Sequence, residues 1–502
     1  MVARLDLRPR QRRRPGLGIA AVLLGALVAT GQAPLGFWWL ALPALAGLIW
    51  LLAPVASVRA AAGLGWLAGV GYFTAAMFWI VDPFFVDPQQ DAWMAPFALV
   101  GMAGGMALFW ALSAAGAVVL GATPRGRALG FAVAMAGTDL LRTYVLTGFP
   151  WALVGHVWIG TWPAQVAALV GPVGLSLMTL LAAAGPAAFG PVRGVLFAWA
   201  ILGGAGGYGL MRLHAPEPPA RAQVVRLIQP NAAQNLKWRD DLAPMFFERL
   251  LTHTAAPGHP DLIVWPETSV PFLLNRPQGG LDAIAEAAHG TPVALGIQRT
   301  QGFRAYNSLA VIQADGAVGP VYDKHHLVPF GEYVPLGDLF WRLTGIETFA
   351  PSLGNGYSAG PGPRVLDLGP TLGHVLPLIC YEGVFPQDLR TTTRPDWILQ
   401  ITDDGWFGTL SGPYQHLAQV RLRAVEQGLP ILRVANTGVT AVIDARGRVL
   451  DHLPLNTEGH IDAHIPGALP ATVYSRTGDW PVFLLLVLLA GLLAWDRLRR
   501  GH

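Results

Sequence analysis

His374-Val-Leu-Pro-Leu-Ile-Cys380-Tyr381-Glu382 is an apolar run that ends on a thiol and a carboxylate. Apolar at successive positions, it reads as a strand covered on both faces. A strand end presents the side chain that follows it, and here that side chain belongs to Cys380, the only cysteine in 502 residues. A lone cysteine is more often a small buried hydrophobe than a nucleophile. Its reading therefore depends on what the rest of the chain brings to it.

The surrounding module repeats the pattern. Strands are expected at 222–229, 261–265, 292–298, 305–313, 364–368, 373–380, 396–402, 430–435, 438–444 and 458–465. Helices are expected near 240–255, 279–289, 385–393 and 411–427. Some strands are continuously apolar, while others alternate across hairpin turns such as Ala314-Asp-Gly-Ala and Ala445-Arg-Gly-Arg. A pair of mixed sheets held between helices fits both patterns. There is no internal sequence repeat. The stretch from Tyr333 to Ala350 is apolar without strand periodicity, and reads either as a lid or membrane-dipping arm or as a packed core connection.

Outside 214–477 the chain changes character. Overall it is 53% hydrophobic and 13% charged, a balance shifted toward bilayer-embedded sequence. A span needs roughly 20 apolar residues. Eight segments meet that, near 16–33, 35–54, 57–81, 93–121, 128–146, 162–189, 192–212 and 478–496. The expected organisation is a seven-helix transmembrane domain over 1–213, an extracytoplasmic domain over 214–477 and a C-terminal transmembrane helix over 478–496.

Arginine placement sets the expected orientation. Arg4, Arg8, Arg10, Arg12, Arg13, Arg14, Arg59, Arg125, Arg127, Arg193, Arg497, Arg499 and Arg500 all fall on one side of the spans. The alternate loops, near 82–92 and 147–161, carry no Lys or Arg. Positive loops stay cytoplasmic, so both termini are expected inside and 214–477 outside. The Arg-rich start reads as an uncleaved signal anchor, because further spans follow directly. Residues 214–477 hold 19 Lys+Arg against 24 Asp+Glu, so the basic pI of 9.1 belongs to the membrane-flanking loops. No nucleic-acid surface is indicated.

Acyl transfer through a thiol needs a nucleophile, a base for its proton, and positive charge or N–H donors where the carbonyl oxygen becomes anionic. Three segments supply these in order. Asp261-Leu-Ile-Val-Trp-Pro-Glu267 ends on a carboxylate, Tyr322-Asp-Lys324-His-His-Leu-Val-Pro-Phe-Gly-Glu332 carries one of the chain's two lysines, and Cys380 closes its own strand. In this reading Cys380 attacks, Glu267 is general base and then acid, and Lys324 with the backbone N–H of Tyr381 faces the oxyanion. The nearby ammonium is expected to lower the thiol pKa. Taken singly, Glu267 reads equally as a solvated strand-end carboxylate and Lys324 as a surface cation. Their common placement after separate strands makes the combination specific.

That constellation resembles the nitrilase (carbon–nitrogen hydrolase) superfamily. The chain as a whole resembles the bacterial apolipoprotein N-acyltransferase family, in Gln229-Pro-Asn through Lys237-Trp238, Trp265-Pro-Glu267, His326-Leu-Val-Pro-Phe-Gly-Glu332, Ile379-Cys380-Tyr381-Glu382, Trp406-Phe-Gly408, Gly412-Pro-Tyr-Gln-His416, Asn436-Thr-Gly438, Thr147-Gly-Phe-Pro-Trp151 and Arg476-Thr-Gly-Asp-Trp-Pro481. The resemblance implies eight transmembrane helices and a nitrilase-like αββα sandwich placed between the seventh and eighth. It implies Glu267, Lys324 and Cys380 as the catalytic triad, with Trp238, Glu332, Tyr381 and Glu382 in support. It also implies a phospholipid acyl donor and an acceptor lipoprotein whose N-terminal cysteine carries diacylglycerol. The implied place is the bacterial inner membrane, with the catalytic domain on the periplasmic side.

Three departures from the family pattern stand out: Asp403 and Gly405 in Asp403-Asp404-Gly405-Trp406, Asp139 three residues before Arg142, and Asp479 in the last motif. Asp139 and Arg142 pair on one helix face, or Arg142 holds a lipid phosphate. No cofactor is expected. No metal is expected either, the adjacent His325 and His326 reading as packing or surface residues. The competing functions are a membrane-tethered amidase or nitrile hydrolase with water as acceptor, and a transporter or lipid receptor for which Cys380 is dispensable.

Overall fold

The computed structural model describes residues 15–277, 279–333 and 356–501. The Arg4 to Arg14 cluster and all of the 333–350 segment except Tyr333 lie outside the described residues.

Two six-stranded sheets form the α/β part. In one the order is β12-β1-β2-β3-β4-β5, with β1 Val224–Gln229, β2 Leu262–Val264, β3 Val293–Gln301, β4 Arg304–Ile312, β5 Val318–Asp323 and β12 Gly459–His464. In the other it is β11-β10-β9-β8-β7-β6, with β6 Leu366–Asp367, β7 His374–Ile379, β8 Trp397–Thr402, β9 Ile431–Ala435, β10 Thr440–Ile443 and β11 Val449–Leu453. Strands β1, β2 and β3 run parallel, as do β7, β8 and β9, and each set continues into two antiparallel strands. Five strands of each sheet, β1 to β5 and β7 to β11, thus share one connectivity although the sequence holds no repeat.

Side-chain alternation explains why the central strands are apolar throughout. Val225, Leu227, Leu262 and Val264 of one sheet meet Val375, Ile379, Leu399, Ile401, Leu432 and Val434 of the other in the inter-sheet core. The intervening Ile228 and Ile263 face the helices Ala243–Thr254 and Gly280–Ala288 through Leu250, Leu281 and Ile284. Leu376, Leu378 and Ile398 face the helix Gly412–Gln427 through Val420 and Ala424. The result is four layers, αββα. Each aliphatic side chain so buried contributes about 1.5–3 kcal/mol.

Three expectations are corrected. The second arms of both hairpins, β5 and β11, are strands that periodicity did not show, because Gly319-Pro320 interrupts one and the other is an edge with exposed Leu450, Asp451 and His452. In place of a helix over 385–393 there is only a 3-10 turn, Pro386–Leu389. Asp388 is drawn there onto His326 Nδ1, 2.8 Å away, and Arg390-Thr-Thr-Thr-Arg-Pro395 supplies no apolar face to continue it.

The long helices outside the α/β part are Pro15–Ala29, Trp38–Leu52, Val58–Ala76, Ala95–Leu120, Pro124–Tyr144, Ala167–Phe189, Pro191–His214 and Trp480–Gly501, one at each of the eight apolar segments. Four helical stretches among the described residues are long and apolar enough to cross a membrane, or five if the bent pair Val58–Ala76 and Phe78–Phe85 is one span. Pro124–Tyr144 is long enough but carries Arg125, Arg127, Asp139 and Arg142.

The α/β part is docked on these helices by polar contacts. Gln415 accepts from the indole N–H of Trp79 (3.1 Å) and of Trp151 (2.7 Å), and donates to the Ala76 carbonyl (3.0 Å). Gln165 donates to the Arg446 carbonyl at 2.9 Å, and within the helical part Tyr144 donates to Asp479 at 2.6 Å.

Candidate active site

The parallel strands deliver their polar residues at one end, where α/β sheets place ligand sites. Glu267 follows β2, Lys324 follows β5, Cys380 follows β7, Asp403 follows β8 and Asn436 follows β9. Glu267 reaches its place because the Pro266–Thr268 segment crosses β3 over Gly296. A Cβ at Gly296 would sit 2.5 Å from Glu267 Cα and from the Pro266 oxygen, so only glycine admits the crossing.

Glu267 and Lys324 meet directly. Lys324 Nζ lies 3.3 Å from Glu267 Oε1 and 2.8 Å from Glu332 Oε1. Asn307 Nδ2 donates to the same two oxygens, at 2.7 and 3.3 Å, and the Asp403 backbone N–H donates to Glu267 Oε2 at 2.8 Å. Burial alone would push the Glu267 carboxyl up. Lys324, Asn307, the Asp403 N–H and Lys237 outweigh it and hold the group below the usual carboxylate range. For Lys324, burial works downward, but Glu267 and Glu332 outweigh it and the ammonium stays well above its ordinary value.

Cys380 is 5% exposed and opens a 3-10 turn at φ +50°, a left-handed conformation that costs a non-glycine residue about 1–3 kcal/mol. Glu382 holds that elbow. Its Oε2 accepts from the Ile379 N–H at 2.7 Å, and its Oε1 from Tyr322 Oη at 2.9 Å and the His325 N–H at 2.8 Å. The carboxylate therefore ties the nucleophile strand to the loop that carries Lys324. The Cys380 carbonyl accepts from Gln400 Nε2 (3.0 Å) and faces His416 Nε2 (3.1 Å), whose other nitrogen meets the Asp404–Arg433 pair.

The thiol does not behave as the sequence reading expects. Burial, and then the negative charge of Glu267, push it well above the ordinary thiol value, and Lys324 only partly offsets them. At rest the sulfur keeps its proton while Glu267 is ionised, so the arrangement is a thiol with a base in waiting.

The other expected residues are placed as follows. Glu332 is in the Lys324 cluster. Tyr381 is buried, edge-on to Phe385 at 4.7 Å, with a long 3.5 Å hydrogen bond to the Gly148 carbonyl. Trp238 stands apart at the rim, 43% exposed, its ring 5.0 Å from Lys237 Nζ. Arg142 is buried against Asp139 Oδ1 (3.3 Å) and donates to the Phe149 and Trp151 carbonyls at 3.1 and 2.6 Å. The guanidinium is spent on structure, and only 2% of the residue is exposed to meet a lipid phosphate.

Asn307, Lys237 and Gln400 were not anticipated in the site. Asn307 had a signal in the sequence: Asn307-Ser308 are adjacent polar residues inside an apolar strand, where buried polar groups need partners. His325 lies between Glu382 Oε1 (2.6 Å) and Asp388 Oδ2 (3.4 Å). Burial lowers it, but the two carboxylates dominate and raise it to about 10.

Comparison with known proteins gives the family. Residues 24–185 match the apolipoprotein N-acyltransferase N-terminal domain, and residues 224–472 match the carbon-nitrogen hydrolase family. An apolipoprotein N-acyltransferase of Caulobacter vibrioides is 39% identical over 98% of this chain and 97% of its own. That of Allorhizobium ampelinum is 37% identical over 97% of each. A solved CN-hydrolase superfamily protein from Xanthomonas campestris is 21% identical, covers 52% of this chain and 96% of its own, and has a TM-score of 0.34. With relatives of this identity aligned over nearly its whole length, the chain belongs to the apolipoprotein N-acyltransferase family.

Proposed function

We propose that the enzyme acylates lipoprotein amines in two half-reactions at Cys380, with Glu267 as the proton carrier and Lys324 as the oxyanion partner. In the first, Glu267 takes the thiol proton as the sulfur attacks the acyl ester carbonyl of a phospholipid. The oxyanion forms against the Lys324 ammonium and the Tyr381 N–H. On collapse Glu267 returns the proton to the glycerol oxygen, lysophospholipid leaves and a thioester remains. In the second, the α-amine of the diacylglyceryl-cysteine attacks the thioester, Glu267 takes the amine proton, and the collapsing intermediate expels the sulfur, which recovers it. The product is an N-acyl amide.

The observation that carries this reading is the 3.3 Å contact of Lys324 with Glu267 beside a neutral, buried thiol that responds to the charge of both. The membrane setting follows from the substrates. With donor and acceptor both lipids, the eight helical segments are read as spans of the bacterial inner membrane, with both termini cytoplasmic and the α/β domain on the periplasmic face.

Mass spectrometry of lipoprotein N-termini after depletion of the enzyme tests the reaction. The expected result is accumulation of the diacyl form with a free amine. Unchanged N-acylation would leave the reading without support.

A further inference from the structure

Lys237 is the chain's only lysine besides Lys324, and the catalytic steps above make no use of it. Its ammonium is buried, 2.6 Å from Asp403 Oδ2 and 3.3 Å from the main-chain oxygen of Glu267. Asp403 is buried too, and its own N–H donates to Glu267 Oε2 at 2.8 Å. The pair therefore grips Glu267 twice, at its backbone and at its carboxylate. The second oxygen of Asp403 accepts from Asn436 Nδ2 at 3.0 Å and the Gly405 N–H at 3.2 Å, so the Asp403 carboxylate has no freedom to turn away.

Charge makes the arrangement conditional. Glu267, Glu332 and Asp403 are three carboxylates in one enclosed cluster, and Lys324 and Lys237 are the cations beside them. A like charge close to a carboxylate disfavours its ionised form, and a base must be ionised to act. Asp403, one of the departures from the family pattern, adds a carboxylate to this cluster, joined to Glu267 through Lys237 and through its own N–H.

We propose that Lys237 and Asp403 form a positioning pair for Glu267, in which Lys237 supplies the positive charge that allows a second carboxylate to stand beside the base. This rests on Glu267 being the base. Lys237 touches neither the thiol nor the acyl carbonyl in this scheme. It acts through Glu267.

The test is the rate of Cys380 acylation by phospholipid, followed as lysophospholipid release against pH in the full-length protein in nanodiscs. This half-reaction excludes the acceptor amine, whose own titration would confuse the profile. Lys237→Met is expected to move the acid limb up by about one to two pH units, and so to slow acylation about 10- to 100-fold at pH values below the wild-type limb. Asp403→Asn keeps the backbone donor and an acceptor for Lys237, and is expected to move the limb down. The double variant K237M/D403N is expected to return the limb to near the wild-type position and recover most of the lost rate. A double variant as slow as K237M, or a K237M limb that does not move, overturns the proposal. Should K237M not fold, Lys237→Arg with an unmoved limb and Asp403→Asn with a lowered one carry the same test, and the opposite pattern rejects it. Glu267→Gln separates the two claims. If E267Q is inactive and the rescue fails, only the pairing is wrong; if E267Q acylates normally, the base assignment itself falls.

Discussion

Cys380 and Glu267 show how one enclosed site gives two acids opposite states. The thiol is raised by burial and by the very carboxylate that is to deprotonate it, while that carboxylate is lowered by its cations and N–H donors. Glu267→Gln should therefore make the sulfur more acidic and alkylation by iodoacetamide faster at pH 8, even though acyl transfer is lost. Lys324→Met should slow alkylation, since it removes the charge that partly offsets burial. Equal alkylation rates in wild type and both variants would contradict this electrostatic account. His325 offers a separate pH test. Raised to about 10 from an ordinary 6.5, it stabilises the fold fully below about pH 6.5, and this contribution is lost as pH climbs through about 10. The melting-temperature gap between wild type and His325→Gln should accordingly be widest near pH 6 and shrink toward pH 10. A gap that does not change with pH would mean that the ring is not a cation between Glu382 and Asp388.

The elbow after β7 and the crossing over β3 are the elements on which the site is built. Glu382→Gln keeps the side chain's size but removes the charge from a group that accepts three hydrogen bonds or more, each worth about 1.5–3 kcal/mol to a charged acceptor. Acyl transfer should fall at least tenfold with a lowered melting temperature, a combination that Gln at an exposed position would not give. Gly296→Ala should be worse for activity than for folding, because the atoms it meets are the backbone of Pro266, Glu267 and Thr268, the segment that carries the base. Much of this scale was legible in the sequence: ten strands and three of the four globular helices were expected where they occur. The exceptions have physical causes. Strand β5 carries Pro320, which is allowed there because β5 is an edge. The 385–393 segment is organised by Asp388 reaching His325 and His326, a long-range contact that no local periodicity records.

At the scale of the molecule, one helix couples the two halves. Gln415 holds Trp79 and Trp151 of the helical part, and the next residue, His416, faces the Cys380 carbonyl. Gln415→Leu would strand two buried indole N–H groups at about 1–3 kcal/mol each, and should lower both the melting temperature and acyl transfer. Full activity in that variant would show that the docking does not position the elbow. Glu267 and Cys380 were legible because each ends a strand that the sequence marks, and Lys324, whose strand β5 it did not mark, because it is one of only two lysines. What tunes them was less so: Asn307 showed only as a polar break in an apolar strand, Lys237 and Gln400 arrive from separate strands and turns, and burial, which sets the state of the thiol, is a property of the assembled layers. The central claim is that the sulfur of Cys380 carries the acyl chain. Intact-mass measurement of the purified enzyme incubated with phospholipid alone should show a gain of one acyl chain, sensitive to hydroxylamine and absent in Cys380→Ala. No adduct on the wild type while lysophospholipid is released, or the same adduct on Cys380→Ala, would contradict it.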